Sequence, residues 1–354
     1  MAKLKILFDY APAYKENKTG IPLFVKNLYQ ELEAIEHIEI TKSGCKRLGH
    51  YRLYRFLYNR IYLPLKLQFG GYDIYIENQF MFLPLFKPKK IKVVNIIYDI
   101  GLILFDDIQT QKYTQRWRER LPLSIANSDI LVTISQSSLR DMQPYLLSIG
   151  ESHKPLEYIY ANVDLLPQSP LSIDRLKTKY AIKDKYFLFL GTLEPRKNPL
   201  QLVKAFQEFK AQTDSSIQLL FAGKKGWLYA DVMEYISANS LEDEIIFTGY
   251  ISDEEKMTLL QNTEAFIFLS LYEGFGMPPL EALKLGVPTL LSDIAVFREL
   301  FEESAYYANP YDTTAIAQKM QLIVATPPTI NRDIFTKFSW ELSAKKLVEI
   351  VCKN

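Results

Sequence analysis

The stretch SLYEGFGMPPLEALKLGVPTLLSD, Ser270 to Asp293, places two carboxylates, Glu273 and Glu281, with seven residues between them. Two glycines, two prolines and a phenylalanine crowd that gap. The run AFIFLS at its start is apolar enough for a buried strand, so LYEGFGMPP falls at a strand's carboxyl end. Gly274 and Gly276 let backbone amides approach a ligand closely. Pro278 and Pro279 open a helix over PLEALKLG, which Gly286 closes. This puts Glu281 in the first helical turn and Glu273 just before it, so both reach one strand-end crevice. An ionised carboxylate accepts from both hydroxyls of a vicinal diol. Glu281 can then hold a ribose and Glu273 a sugar ring. The backbone amides from Phe275 through Met277 to Leu280 would face phosphate or sugar. Taken singly, Glu281 also reads as a favourable charge at a helix start, and Glu273 as a solvated loop residue. Their joint presence in so crowded a turn favours a site.

A second stretch, LGTLEPRKNPLQLVKAF (Leu190 to Phe206), supplies the opposite charge. A strand ends at Gly191, a turn carries Arg196 and Lys197, and Pro199 opens a helix. Two cations beside a helix N-terminus suit a diphosphate, although lysine and arginine are equally common in solvated turns. Tyr250, closing the run EIIFTGY, is placed with the same ligand-facing strand ends. No Asp-x-Asp pair occurs anywhere in the chain. A metal-bridged diphosphate is therefore disfavoured: no metal and no cofactor is expected, and Arg196 with Lys197 must neutralise the leaving charge.

Around these stretches, short apolar runs alternate with amphipathic ones. KILFDY, DIYIEN, KVVNIIYD, DILVTIS and PLEYIYA read as strands in the first half. YFLFLGTL, IQLLFAG, EIIFTGY, AFIFLS and PTLLSD read as strands in the second. IPLFVKNLYQELEAI, NPLQLVKAFQEFKAQ and DEEKMTLLQNT are helical in pattern. Near-continuous apolar strands between helices mean parallel sheets covered on both faces. The pattern restarts near residue 186, after a polar segment, so two doubly wound α/β domains are expected, joined near residues 165–185. Ligands bind at the carboxyl ends of such strands, which puts the expected active site in a cleft between the two domains.

The 354 residues suit two domains, with 48% hydrophobic and 23% charged residues. A net charge of +1 gives no field for nucleic acid. Cys45 and Cys352 are the only cysteines and are far apart, which points to a reducing, cytoplasmic compartment without a disulfide framework. The three histidines, His37, His50 and His153, have no partner at metal-ligand spacing. The N-terminal apolar run is too short for a signal peptide, and nothing reaches transmembrane length. KRLGHYRLYRFLYNRIYLPLK (Lys46 to Lys66) interleaves cations with tyrosines and leucines. As a helix it reads either as an anionic-membrane surface or as an ordinary helix with a basic face.

GTLEPRKN and EGFGMPPLEALKLGVP together resemble the retaining glycosyltransferases of the GT-B fold, family four (glycosyl transferases group 1), along the whole chain. The resemblance implies two Rossmann-like domains facing across a cleft. One spans residues 1–168, completed by the helix 337–354 that FSWELSAKK introduces, and takes the acceptor. The other spans residues 169–336 and binds the nucleotide sugar. The family's Glu–seven–Glu motif matches Glu273 and Glu281. Its diphosphate-binding Arg and Lys match Arg196 and Lys197, and its N-terminal glycine loop matches KTGIPLF at Gly20. It implies transfer of a hexose or 6-deoxyhexose from a nucleoside-diphosphate sugar, with retention, to a glycan or lipid-linked acceptor in cell-surface polysaccharide synthesis. It also fits a catalytically silent partner subunit that binds a sugar nucleotide or another glycosyltransferase. Where the family has His-Asp facing the donor sugar, this chain has Tyr98 and Asp99. A tyrosine there reads in two ways: its ring would crowd a hydroxymethyl group and favour a bare methyl, hence a 6-deoxy sugar, or its phenol would keep the hydrogen bond and leave the donor open.

Overall fold

The computed structural model describes residues 3–14, 20–44, 56–78, 83–84, 86, 88–105, 111–165, 171–224, 226 and 229–353. Twelve strands are found among them: β1 Leu4–Asp9, β2 Ile38–Ser43, β3 Ile74–Glu77, β4 Lys92–Ile96, β5 Ile130–Thr133, β6 Leu156–Tyr158, β7 Tyr186–Leu190, β8 Gln218–Ala222, β9 Ile245–Gly249, β10 Ala265–Phe268, β11 Thr289–Ser292 and β12 Tyr306–Ala308. They form two six-stranded sheets, in the orders β2-β1-β3-β4-β5-β6 and β12-β11-β10-β7-β8-β9. Neighbouring strands run parallel throughout. Parallel neighbours need crossover helices, which cover both faces and explain the unbroken apolar runs of the strands. Contacts divide the chain into two units. One holds Met1–Asp106, Thr110–Asn162 and Lys337–Asn354, and the main segment of the other is Val163–Thr336.

In the first unit the strand order reverses between β1 and β3. Its last helix, Trp340–Lys353, carries a buried face of Trp340, Ala344, Leu347, Ile350 and Val351. Trp340 packs edge-on against Phe24 of the helix Ile21–Glu33, with ring centres 5.5 Å apart. Lys92 Nζ donates to the Val351 carbonyl at 2.9 Å, and Ser343 Oγ to the Tyr160 carbonyl at 2.6 Å. The chain's last segment is thus built into the unit that its first residues begin. Of the basic aromatic segment expected as one helix, residues 46–55 lie outside the described part. Residues 56–69 are helical, passing through a wider turn at Tyr58–Tyr62 into Leu63–Phe69.

In the second unit the reversal falls between β7 and β10. Its sheet is filled with phenylalanine: Phe189 stacks on Phe268 at 5.8 Å, and Phe221 on Phe247 at 5.1 Å. Gly223 lies so close to the end of β7 that an added Cβ would come 2.0 Å from the Gly191 carbonyl oxygen. Only glycine permits that approach, at a φ of +150°.

Trp340→Ala removes the ring that closes the first unit over Phe24. We expect a loss of about 3–5 kcal/mol, read as an earlier denaturant transition of that unit with the second unit's unchanged. A loss under about 1 kcal/mol would show that the last helix is only loosely docked.

Candidate functional site

The turn after β7 is set by four residues with special backbone needs. Gly191 leaves the strand at φ +147°, open to glycine and rare for others. Pro195 starts a single 3-10 turn, Pro195–Lys197. Asn198 then takes a left-handed φ of +58°, which asparagine tolerates, and Pro199 begins the helix Pro199–Ala211. The Asn198 amide donates to the Pro310 carbonyl at 2.7 Å and pins the turn. Arg196 and Lys197 are thereby delivered to the carboxyl end of β7.

The turn after β10 meets them there. Leu271 N–H donates to the Arg196 carbonyl at 2.8 Å, and Arg196 Nη1 donates to the Tyr272 carbonyl at 2.9 Å. The Glu273 carboxylate is held by both cations, Arg196 Nη1 at 3.0 Å and Lys197 Nζ at 2.5 Å. Arg196 also pairs with Glu194 at 2.7 Å, and Lys197 Nζ lies 4.4 Å from the Phe268 ring centre. Burial alone would raise the Glu273 carboxyl, but the Arg196 and Lys197 charges outweigh it and hold the group at about 2. Burial pulls the Lys197 ammonium below its ordinary value, and Glu273 opposes that pull. Two cations and two carboxylates cancel, in a place where an unpaired charge would be costly. The constellation sits beside the strand-order reversal, where open α/β sheets bind their ligands.

Gly276, at φ +121°, caps the helix Met277–Lys284, and an added Cβ there would press to 2.8 Å from the Phe297 ring. The helix begins one residue before the prolines. Glu281 is therefore its fifth residue, in the second turn and not the first. The amide reading also narrows. Pro278 and Pro279 carry no N–H, and Leu280 N–H is spent inside the helix on the Gly276 carbonyl at 3.1 Å. Phe275 and Leu280 are buried, and Met277 is half-buried. Glu281 is nearly buried and accepts from Lys256 Nζ at 2.7 Å. Burial raises its carboxyl and Lys256 lowers it, leaving it above its ordinary value. Tyr250, just past β9, is 60% exposed, with Lys224 Nζ 5.0 Å from its ring centre.

Gly20, Tyr98 and Asp99 belong to the first unit. Gly20 caps the helix Ile21–Glu33 at φ +59°, and its carbonyl accepts from Leu23 N–H and Phe24 N–H; residues 15–19 before it lie outside the described part. Asp99 Oδ1 accepts the Gly101 amide at 2.9 Å. Tyr98 is 5% exposed, and its ring packs edge-on against Phe24 at 5.3 Å. Burial, with the Asp9 and Glu77 charges adding to it, pushes its phenol well up. Phe24 thus carries both the Tyr98 ring and the Trp340 ring edge-on. Among the described residues there is no group of three or more His, Cys, Asp or Glu side chains able to hold a metal.

Residues 172–337 match the family model described as glycosyl transferases group 1. O-antigen chain mannosyltransferase B of Escherichia coli is 26% identical over 375 residues, which cover 96% of this chain and 97% of that one. Over residues 172–337 the chain is thus similar to the group 1 glycosyl transferases. O-antigen chain mannosyltransferase RfbU of Salmonella typhimurium is 30% identical over 150 residues, 42% of this chain and 41% of its own length. Among solved structures, sucrose-phosphate synthase from Thermosynechococcus elongatus superposes with a TM-score of 0.75 at 18% identity, covering 100% of this chain and 99% of the other. HepE from Anabaena, solved in complex with UDP and glucose, gives 0.69 at 17%, covering 99% and 100%. The two sheets with their flanking helices are those of the GT-B glycosyltransferase fold.

Glu194 and Lys256 were not singled out in the sequence. Glu194 lies inside GTLEPRKN, three residues before Lys197, where a carboxylate could have been matched to the cations. Lys256 leaves no local signal, because its partner is 25 residues away.

Glu273→Gln would leave Lys197 without its carboxylate. Breaking such a pair costs about 3 kcal/mol or more. We expect that loss in chemical denaturation, together with a larger stabilisation by inorganic pyrophosphate than the wild type shows. Unchanged stability with no gain from pyrophosphate would contradict the charge balance described here.

Proposed function

We propose that the protein transfers mannose, with retention, from a nucleoside-diphosphate mannose to a hydroxyl of a growing cell-surface polysaccharide. The observation that carries this is the convergence of Arg196 and Lys197 on one carboxylate at the strand-order reversal. A diphosphate can take that carboxylate's place between the same two cations. The mannose reading draws on the names of the O-antigen relatives, one of them matched over nearly its whole length. The 6-deoxy alternative rests on Tyr98, whose ring is buried and packs edge-on against Phe24.

In the proposed reaction the bond between the anomeric carbon and the diphosphate oxygen breaks, and the acceptor oxygen bonds the same carbon on the same face. The acceptor's proton passes to the departing phosphate. Arg196 and Lys197 stabilise the charge that develops on the leaving group. Glu281 accepts from the ribose hydroxyls and Glu273 from the sugar. No metal is required in this scheme.

The test is transfer and slow donor hydrolysis with GDP-mannose and UDP-mannose, in the presence and absence of EDTA, with the anomeric configuration read by NMR. Activity that survives EDTA and gives an α-mannoside from an α-donor is the expected result. Glu281→Ala should weaken nucleotide binding by roughly ten- to a hundredfold, and Lys197→Ala should lower turnover more than donor binding. An absolute need for a divalent ion, or an inverted product, would overturn the scheme.

The acceptor reading extends to a lipid surface. Leu57, Ile61, Leu65 and Phe69 recur every four residues along 56–69 and are all exposed, Phe69 by 80%, with Phe56 and Tyr62 beside them. Leu63 and Leu67 anchor the opposite side into a cluster with Leu7 and Tyr75. Arg60 and Lys66 add charge of the sign that anionic lipid attracts. No helix among the described residues is long and apolar enough to cross a membrane. We expect flotation with phosphatidylglycerol vesicles at low salt, reduced by high salt. Leu65→Ser with Phe69→Ser should weaken it by roughly tenfold or more. Binding indifferent to both salt and substitution would count against a lipid partner.

A further inference from the structure

Lys256 sits in the first turns of the helix Asp253–Gln261, which follows β9. Its position is fixed from two sides. Ser252 caps the helix reciprocally with Glu255: Glu255 N–H donates to Ser252 Oγ at 3.2 Å, and Ser252 N–H to Glu255 Oε2 at 2.9 Å. The other oxygen of Glu255 takes Tyr180 Oη at 3.1 Å and the Lys179 ammonium, tying the helix start to the helix Ile173–Tyr180. From this anchored turn Lys256 reaches Glu281 Oε1 at 2.7 Å, and its other near carboxylate, Asp253, is at 3.7 Å.

Glu281 faces few charges. Lys256 and Asp253 come from the helix after β9. On its own helix Lys284 turns away, donating to the Val163 carbonyl at 3.1 Å. A nearly buried carboxylate with one cation depends on that cation both for its orientation and for staying ionised. We propose that Lys256 is a positioning residue of the donor site, holding the Glu281 carboxylate ready to accept from the nucleotide's ribose hydroxyls. This rests on the donor reading given above.

The consequence appears in the pH dependence of nucleotide binding. A protonated Glu281 loses acceptor capacity, so affinity falls as pH drops through its titration. Lys256 opposes protonation. In Lys256→Met the acid limb of affinity therefore moves to higher pH. Binding of GDP and UDP by calorimetry, across the pH range of stability, should show the variant on the order of tenfold weaker at the acid end and within about twofold of wild type at the alkaline end. Lys256→Arg should restore the wild-type profile, and Glu281→Gln should abolish the difference. A loss uniform across pH would mean that Lys256 touches the nucleotide itself, and no loss would mean a merely structural pair; either result overturns the proposal. The ligand-free protein gives an independent reading. With glutamate carboxyls labelled with carbon-13, and Glu281 assigned through Glu281→Gln, its midpoint must rise in Lys256→Met. An unmoved midpoint refutes the coupling whatever the nucleotide does. A raised midpoint in a protein that binds neither nucleotide overturns the donor reading and leaves the coupling standing.

Discussion

One carboxylate shared between two cations organises the second unit. Glu273 reaches Arg196 at 3.0 Å and Lys197 at 2.5 Å, joining the turns that leave two neighbouring strands, β7 and β10. The backbone bond from Leu271 to Arg196 reinforces the same junction. Because Glu194 and Glu273 balance Arg196 and Lys197, the cations are kept in place without an external anion. In the donor reading proposed above, an incoming diphosphate would meet donors that are already aligned, and only the carboxylate would have to give way. Such prior alignment is where electrostatic stabilisation of a leaving group is most effective.

The fold was legible because its central strands are apolar from end to end, and the helices between them begin at identifiable caps. Two strands gave no such signal. β2, IEITKS, lies at the edge of its sheet and mixes buried with exposed positions, while β12 at the other sheet's edge has only three residues. The residue types of the site were legible where glycine and proline dictate the backbone, as at Gly191, Pro199 and Gly276. The helix after Gly276 starts one residue earlier than the prolines suggest, because a proline marks the first turn without saying which of its positions it holds. What could not be read is pairing at a distance. Lys256 meets Glu281 only because β9 and β10 end on the same side of the sheet, and Tyr98 packs on Phe24, a residue more than 70 positions earlier that also meets Trp340 from the far end of the chain.

The two units solve the covering of a parallel sheet differently. The second draws its six strands, β7 to β12, from the continuous segment that follows Asn162. The first needs a piece from elsewhere: Phe24 packs edge-on against both Tyr98 and Trp340. On the ribosome, Phe24 and Tyr98 emerge long before Trp340 exists. Every strand of the second unit is made in the interval. The part begun first is therefore finished last, and a chain stalled or clipped before Trp340 leaves the Phe24 face bare. Nascent chains with such uncovered apolar faces are the ones that associate wrongly, so the stitch that completes the first unit also sets the period during which it most needs protection.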